Sequence, residues 1–345
     1  MLRLAKMSFT SFALHDPENH AHRYVESTDA FRFIRLERSE HATMPFLIDE
    51  YLGSARETWD VATDECLTGL GKGRLHFLFH SAFCGSTLLT RALDVPRMAM
   101  GLSEPVTLND VVSLRRRGID SSAVARVADA ALRLLARPYG AGEAVVIKPS
   151  NLLNPMADLL LALQPDARAV FLYAPLETYL ISVVRKGLHC RLWVRQLLEG
   201  FLREGYADFG FSPEDYFRQS DLQVAAIGWL AQHRHFIQLV RKFGKVRVAT
   251  LDADRMTTQP AEAIAAVTRH YGLACDSDLV AQIVSGQVFS KHSKSGAGFT
   301  AKDRQAEYAT ARGAYGEEID MVLAWAQKVA ESAEISLEPP GTLLT

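Results

Sequence analysis

The chain reads as a three-layer α/β protein, with a mostly parallel central sheet covered by helices. Three observations predict this. Short, largely apolar runs recur at residues 75–79, 144–147, 169–173 and 246–251, as expected of strands buried on both faces. Segments of helical period lie between them, the alternation that builds a parallel sheet. The first run is flanked by Gly71 and Gly73 and then by small residues, which marks a buried strand entering a tight turn.

Residues 1–72 form an N-terminal extension expected to pack on the main domain. Its polar stretch holds His15, His20 and His22. No further ligand recurs at helical spacing, so a solvated loop is expected there rather than a metal site. The main domain spans residues 73–300. After the strand at 75–79, residues 86–93 read as a helix with Leu88, Leu89, Ala92 and Leu93 on one face, and 97–102 as a second strand. Residues 121–137 form an Ala/Leu/Val-rich helix. Pro149 closes the strand at 144–148, since proline cannot donate to a ladder. Helices are expected at 156–163, 177–186, 188–203, 221–243 and 260–271. Residues 301–345 supply a C-terminal amphipathic helix, at 308–331, and a tail.

With 345 residues, 48 % hydrophobic and 23 % charged, the chain can bury a sizeable core. A net charge of −2 argues against coating nucleic acid. Four cysteines without a CxxC pair suit a reducing compartment. No apolar run approaches the roughly 18 residues of a spanning helix, and the N-terminus lacks a continuous apolar signal region. The expectation is a cytoplasmic protein without a membrane or nucleic-acid partner. No motif encodes its oligomeric state.

The chemistry concentrates at residues 79–87, Phe-His-Ser-Ala-Phe-Cys-Gly-Ser-Thr. Ligands in open parallel sheets bind beyond the carboxyl ends of the strands. Gly85 lets the backbone turn and approach a ligand, the following helix start offers N–H groups and its dipole, and Ser86 and Thr87 add hydroxyls. This is an anion cradle for a phosphate-bearing ligand. The Walker A pattern GxxxxGK[ST] is absent, as is GxGxxG.

The strand, the loop and Gly85-Ser86-Thr87-Leu88-Leu89 resemble the 5′-phosphosulfate loop of the PAPS-dependent sulfotransferases, in a divergent bacterial form with a P-loop-like fold. Ser103-Glu104-Pro105, Val146 through Asn151, residues 169–182 and Val248 through Asp254 resemble further stretches of that family in the same order. The resemblance covers roughly residues 72 to 275. It implies a transferase with PAPS (3′-phosphoadenylyl sulfate) as co-substrate, no metal, and a hydroxyl or amine acceptor on a small molecule or peptide.

The sequence departs from the family at its cations. Phe83 stands where the loop is basic, Cys84 where it has serine, and Tyr173 where arginine precedes the proline; Ser182 falls one position late. Lys148, Arg185, Lys186, Arg191 and Arg195 are available substitutes, although Arg191 and Arg195 suit a solvated helix face equally well. The resemblance implies that Cys84, Gly85, Ser86 and Thr87 hold the phosphosulfate, that Ser182 and Arg185 take the 3′-phosphate, and that Lys148 stabilises the leaving group. Glu104 is the leading acceptor base and His80 the second candidate. Cys84 suits packing better than nucleophilic attack. Lys291 and Lys294, beside Gly296 and Gly298, would fold over the nucleotide or serve as a surface linker. The aromatic residues Trp193, Phe201, Tyr206, Phe209, Phe211 and Tyr216 line an acceptor cavity or a satellite core.

Two other readings stay open. An ATP-dependent P-loop kinase or NTPase needs a loop lysine and a Mg²⁺ carboxylate, for which Asp252 or Asp254 is available. A non-catalytic nucleotide-binding relative would explain aromatic residues where cations are expected.

Overall fold

The computed structural model describes residues 14–53, 55–290 and 301–344. Its N-terminal part is an antiparallel sheet of order β1-β2-β3, made of β1 (Asn19–Val25), β2 (Ala30–Arg35) and β3 (Thr58–Ala62). This corrects the solvated loop expected at the histidines. His20 and His22 are buried in β1, whose first four residues are covered on both faces. His22 Nε2 lies 2.6 Å from Asp49 Oδ1, and Arg23 pairs with Asp49 and Asp110. Burial pushes the His20 imidazole well below its ordinary value, which keeps it neutral.

Five parallel strands form the second sheet: β4 (Leu75–His80), β5 (Ala99–Ser103), β6 (Ala144–Lys148), β7 (Ala169–Tyr173) and β8 (Val248–Asp252), in the order β5-β6-β4-β7-β8. Every residue of β4 to β7 is buried, which accounts for their largely apolar runs. Helices follow the strands. After β4 comes α1 (Ser86–Leu93), and after β5 come α2 (Val106–Arg116) and α3 (Ser121–Leu135). A 3₁₀ turn and α4 (Ala157–Leu163) follow β6. After β7 come α5 (Leu176–Arg185), α6 (Gly187–Arg203) and α7 (Asp221–Phe243), and β8 leads to α8 (Pro260–Tyr271) and α9 (Ala301–Ser332).

Two strand boundaries differ from the sequence reading for a local reason. Arg97 is left-handed (φ 69°) in the turn before β5, and the exposed Val246 lies in the turn opened by Gly244 (φ 79°) before β8. Apolar residues in those turns extended the apparent strands. The C-terminal helix is interrupted at Tyr315, whose φ/ψ of −124°/15° is not helical.

The chain divides into two compact units, Met1–Phe77 with Leu93–Ala167, and Leu78–Ala92 with Arg168–Thr345. In the first unit, the half-buried Arg137 donates to the carbonyls of Leu14, Asp16 and Asn19, which fastens the chain entering β1. Leu47 N–H donates to Ser103 O at 2.8 Å and Val106 N–H to Leu47 O at 3.0 Å, stitching residues 46–48 to the end of β5. In the second unit, α7 lays Trp229, His233 and Phe236 against β7. Phe171 and Phe236 stack at 4.0 Å and His233 meets Tyr173 edge-on at 5.0 Å. No described helix is long and apolar enough to cross a membrane.

Candidate functional site

The loop after β4 is shaped by its backbone. Ala82 (φ 71°), Phe83 (φ 54°) and Gly85 (φ 79°) are all left-handed. Each non-glycine residue there costs about 1–2 kcal/mol, and such strain is characteristic of loops that grip a ligand. Three contacts hold the turn. Ser81 N–H donates to Leu172 O at 3.1 Å, Ala174 N–H donates to Ser81 Oγ at 3.2 Å, and Ala82 N–H donates to His80 Nδ1 at 3.1 Å. Gly85 then leads into α1, whose first regular bond is Leu89 N–H to Gly85 O. The N–H groups of Ser86, Thr87 and Leu88 have no acceptor within the helix. A concave backbone, first-turn amides and two hydroxyls can hold an anion.

The anion residues expected on α5 lie in the same unit. Ser182 is buried, with Oγ 3.1 Å from the Tyr308 hydroxyl. Arg185 pairs with Glu307, and its guanidinium lies 5.7 Å from the centre of the Tyr308 ring. A carboxylate and a phenol of α9 therefore occupy the two groups assigned to the 3′-phosphate. Arg191 and Arg195 both pair with Asp221, at 3.6 and 2.6 Å, which gives them a structural task. Lys291 and Lys294 lie outside the described residues.

Glu104 and Lys148 meet in the first unit. Lys148 ends β6 with a side chain that is 0 % exposed, and its Nζ donates to Glu104 Oε1 at 2.5 Å. The ammonium also faces the Phe46 ring, 4.7 Å from its centre. Glu104 follows β5 in the left-handed region (φ 51°), with its N–H bonded to Lys148 O at 2.7 Å. The carboxylate is 23 % exposed. A buried lysine requires such a partner, and the partner keeps one side open to solvent.

No family model matches the chain, and no curated protein matches it. Solved structures do. The chain is similar to a sulfotransferase domain from the curacin biosynthetic pathway, at 13 % identity and a TM-score of 0.45, over 78 % of this chain and 100 % of that one. It is similar to a sulfotransferase from Mycobacterium tuberculosis at 16 % identity and a TM-score of 0.42, over 72 % and 79 % of the two chains. A third similar structure is the sulfotransferase domain of the Synechococcus olefin synthase, at 13 % identity and a TM-score of 0.42, over 70 % and 89 %.

Several contributions are invisible in the sequence. Ser81 looks like any small residue after a strand, yet it ties the loop to the end of β7. His80 spends its Nδ1 lone pair on the Ala82 N–H, which makes it a brace of the turn. Tyr173 is packed between Phe171 and His233, and burial pushes its phenol well above the ordinary value. It serves the core. Of the carboxylates available for a metal, Asp252 accepts from the N–H groups of Asp254 and Arg255, and Asp254 accepts from the Thr178 hydroxyl. Cys84 is buried in the loop, in keeping with a packing role.

Proposed function

We propose that the protein is a sulfotransferase-like enzyme that takes the sulfuryl group of PAPS to a hydroxyl or amine of a small molecule or peptide. The observation that carries this reading is the loop at residues 82–87, turned by three left-handed residues onto the start of α1 without a P-loop lysine. The backbone amides and the hydroxyls of Ser86 and Thr87 bind the phosphosulfate, and Ser182 and Arg185 bind the 3′-phosphate after leaving Tyr308 and Glu307. Sulfuryl transfer needs positioning and neutralisation of charge more than covalent help from the protein. The acceptor oxygen or nitrogen forms its bond to sulfur while the bond from sulfur to the bridging oxygen breaks. The acceptor proton passes to Glu104, and adenosine 3′,5′-bisphosphate leaves with its charge stabilised by Lys148.

The non-catalytic reading draws its support from Phe83, an apolar ring in the loop, and from the occupied state of Ser182 and Arg185. Ligand-induced thermal stabilisation separates the possibilities. A ligand at about a hundred times its dissociation constant adds about 2.7 kcal/mol. Stabilisation by adenosine 3′,5′-bisphosphate and not by ATP with Mg²⁺ is the expected result. Release of the bisphosphate from PAPS in the presence of an acceptor then distinguishes an enzyme from a binding protein, and Glu104→Gln should slow that release about 10²–10⁴-fold. Stabilisation by ATP with Mg²⁺ alone would sink the reading.

A further inference from the structure

The loop carries an aromatic ring where the resembling loops carry a cation, and the second unit brings a cation to that ring from another element. Phe83 is seated between Tyr179 of α5, with ring centres 5.5 Å apart, and Trp193 of α6, edge-on at 5.4 Å. The two helices meet at Lys186 and Gly187. The Lys186 N–H closes α5 on Ser182 O, and Gly187 (φ 66°) turns the chain into α6. Tyr179 and Trp193 each lie one heptad from Lys186, so the corner presents an ammonium between two aromatic anchors. Lys186 Nζ stands 5.5 Å from the centre of the Phe83 ring. This is within the range of a cation–π attraction, and the carboxyl end of α5 also favours a positive charge.

We propose that Lys186 is the cation of the loop. Seated on Phe83, it neutralises the anion held by the backbone of residues 84–87, supplying from a helix corner the charge that the loop itself lacks. An aromatic seat orients an ammonium without cancelling its charge. The proposal deepens the phosphosulfate reading and rests on it for the identity of the ligand. In that reaction negative charge grows on the bridging oxygen as its bond to sulfur breaks, and Lys186 stabilises the charge there. Phe83 thereby becomes a positioning residue for Lys186.

The test titrates two probes, inorganic pyrophosphate and adenosine 3′,5′-bisphosphate, into the full chain by calorimetry. Lys186→Met should weaken both at least about tenfold, the scale of one charge pair near a surface, with the melting temperature unchanged. Lys186→Arg should keep most of the affinity. Adding Phe83→Lys to Lys186→Met should restore most of it, which a purely structural role for Lys186 does not predict. Wild-type affinity in Lys186→Met, or no binding of pyrophosphate by the wild type, overturns the proposal. If pyrophosphate binds in a Lys186-dependent way and the bisphosphate does not bind, the assignment of Lys186 stands and the nucleotide reading falls.

Discussion

The turn after β4 and the ends of β5 and β6 handle charge in opposite ways. At residues 82–87 the protein offers backbone amides, two hydroxyls and a strained path, and no charged side chain belongs to the loop itself. At Glu104 and Lys148 it offers two full charges locked together at 2.5 Å, one of them fully buried. The first arrangement fixes the place of an anion at small electrostatic cost to the folded protein. The second carries a desolvation cost that the pairing, together with the Phe46 ring, offsets. Binding should therefore be sensitive to backbone conformation in the loop, and folding should be sensitive to side-chain charge at the pair.

The largest expected effect lies at the pair. Glu104→Gln removes the carboxylate from a lysine with no exposed surface and should cost about 3–5 kcal/mol of stability. Lys148→Met leaves a carboxylate that still reaches solvent and should cost clearly less. Urea denaturation of both variants checks this, and equal costs would break the asymmetry.

The pH dependence ranks next and compares the units through one buried histidine in each, His20 and His233. Burial holds His233 at about 3 and His20 also well below the ordinary 6.5. Because the folded values are lowered, the unfolded chain takes up these protons first. The stability gained from keeping the rings neutral is whole above about pH 6.5 and is lost as pH falls toward 3. Each histidine should contribute a slope of up to about 1.4 kcal/mol per pH unit in that window. His233→Gln should flatten the profile measured by denaturant midpoint; an unchanged slope would show that His233 does not carry it.

The smallest effect concerns α9. Glu307 sits on Arg185, and an exposed pair of this kind is worth about 0.2–1 kcal/mol. Glu307→Gln should therefore tighten bisphosphate binding by roughly 1.4-fold to fivefold. Weaker binding in the variant would mean that Glu307 helps to hold the ligand instead of competing with it.

What the sequence made legible follows the same division. Strands buried on both faces announced themselves: β4, β6 and β7 lie within one residue of the apolar runs, and α7 and α8 match their periodic segments end to end. The antiparallel sheet β1–β3 was illegible because its strands mix buried histidines, paired arginines and an exposed β3 into a pattern without clean alternation. Lys148 stood out because a lysine between an apolar strand and a proline needs a partner, and Glu104 is that partner. Phe83 was legible as a departure from the loops it resembles but not as the seat of Lys186, since that seat is made by two helices about a hundred residues further on. The roles of Ser81 and His80 depend on hydrogen bonds that no spacing encodes.

Gly85 is where the backbone account of the loop can be tested most directly. Its φ of +79° is disfavoured for any other residue, and an added Cβ would lie 3.1 Å from Met256 Cε, a flexible tip that can give way. Gly85→Ala should therefore cost only about 1–2 kcal/mol of stability while disturbing the amides that face the anion. Calorimetric titration of wild-type and Gly85→Ala protein with adenosine 3′,5′-bisphosphate should show binding by the first and a loss of at least about tenfold in the second, equivalent to about 1.4 kcal/mol. Equal affinity in the two folded proteins would contradict an anion site built from the backbone of this loop.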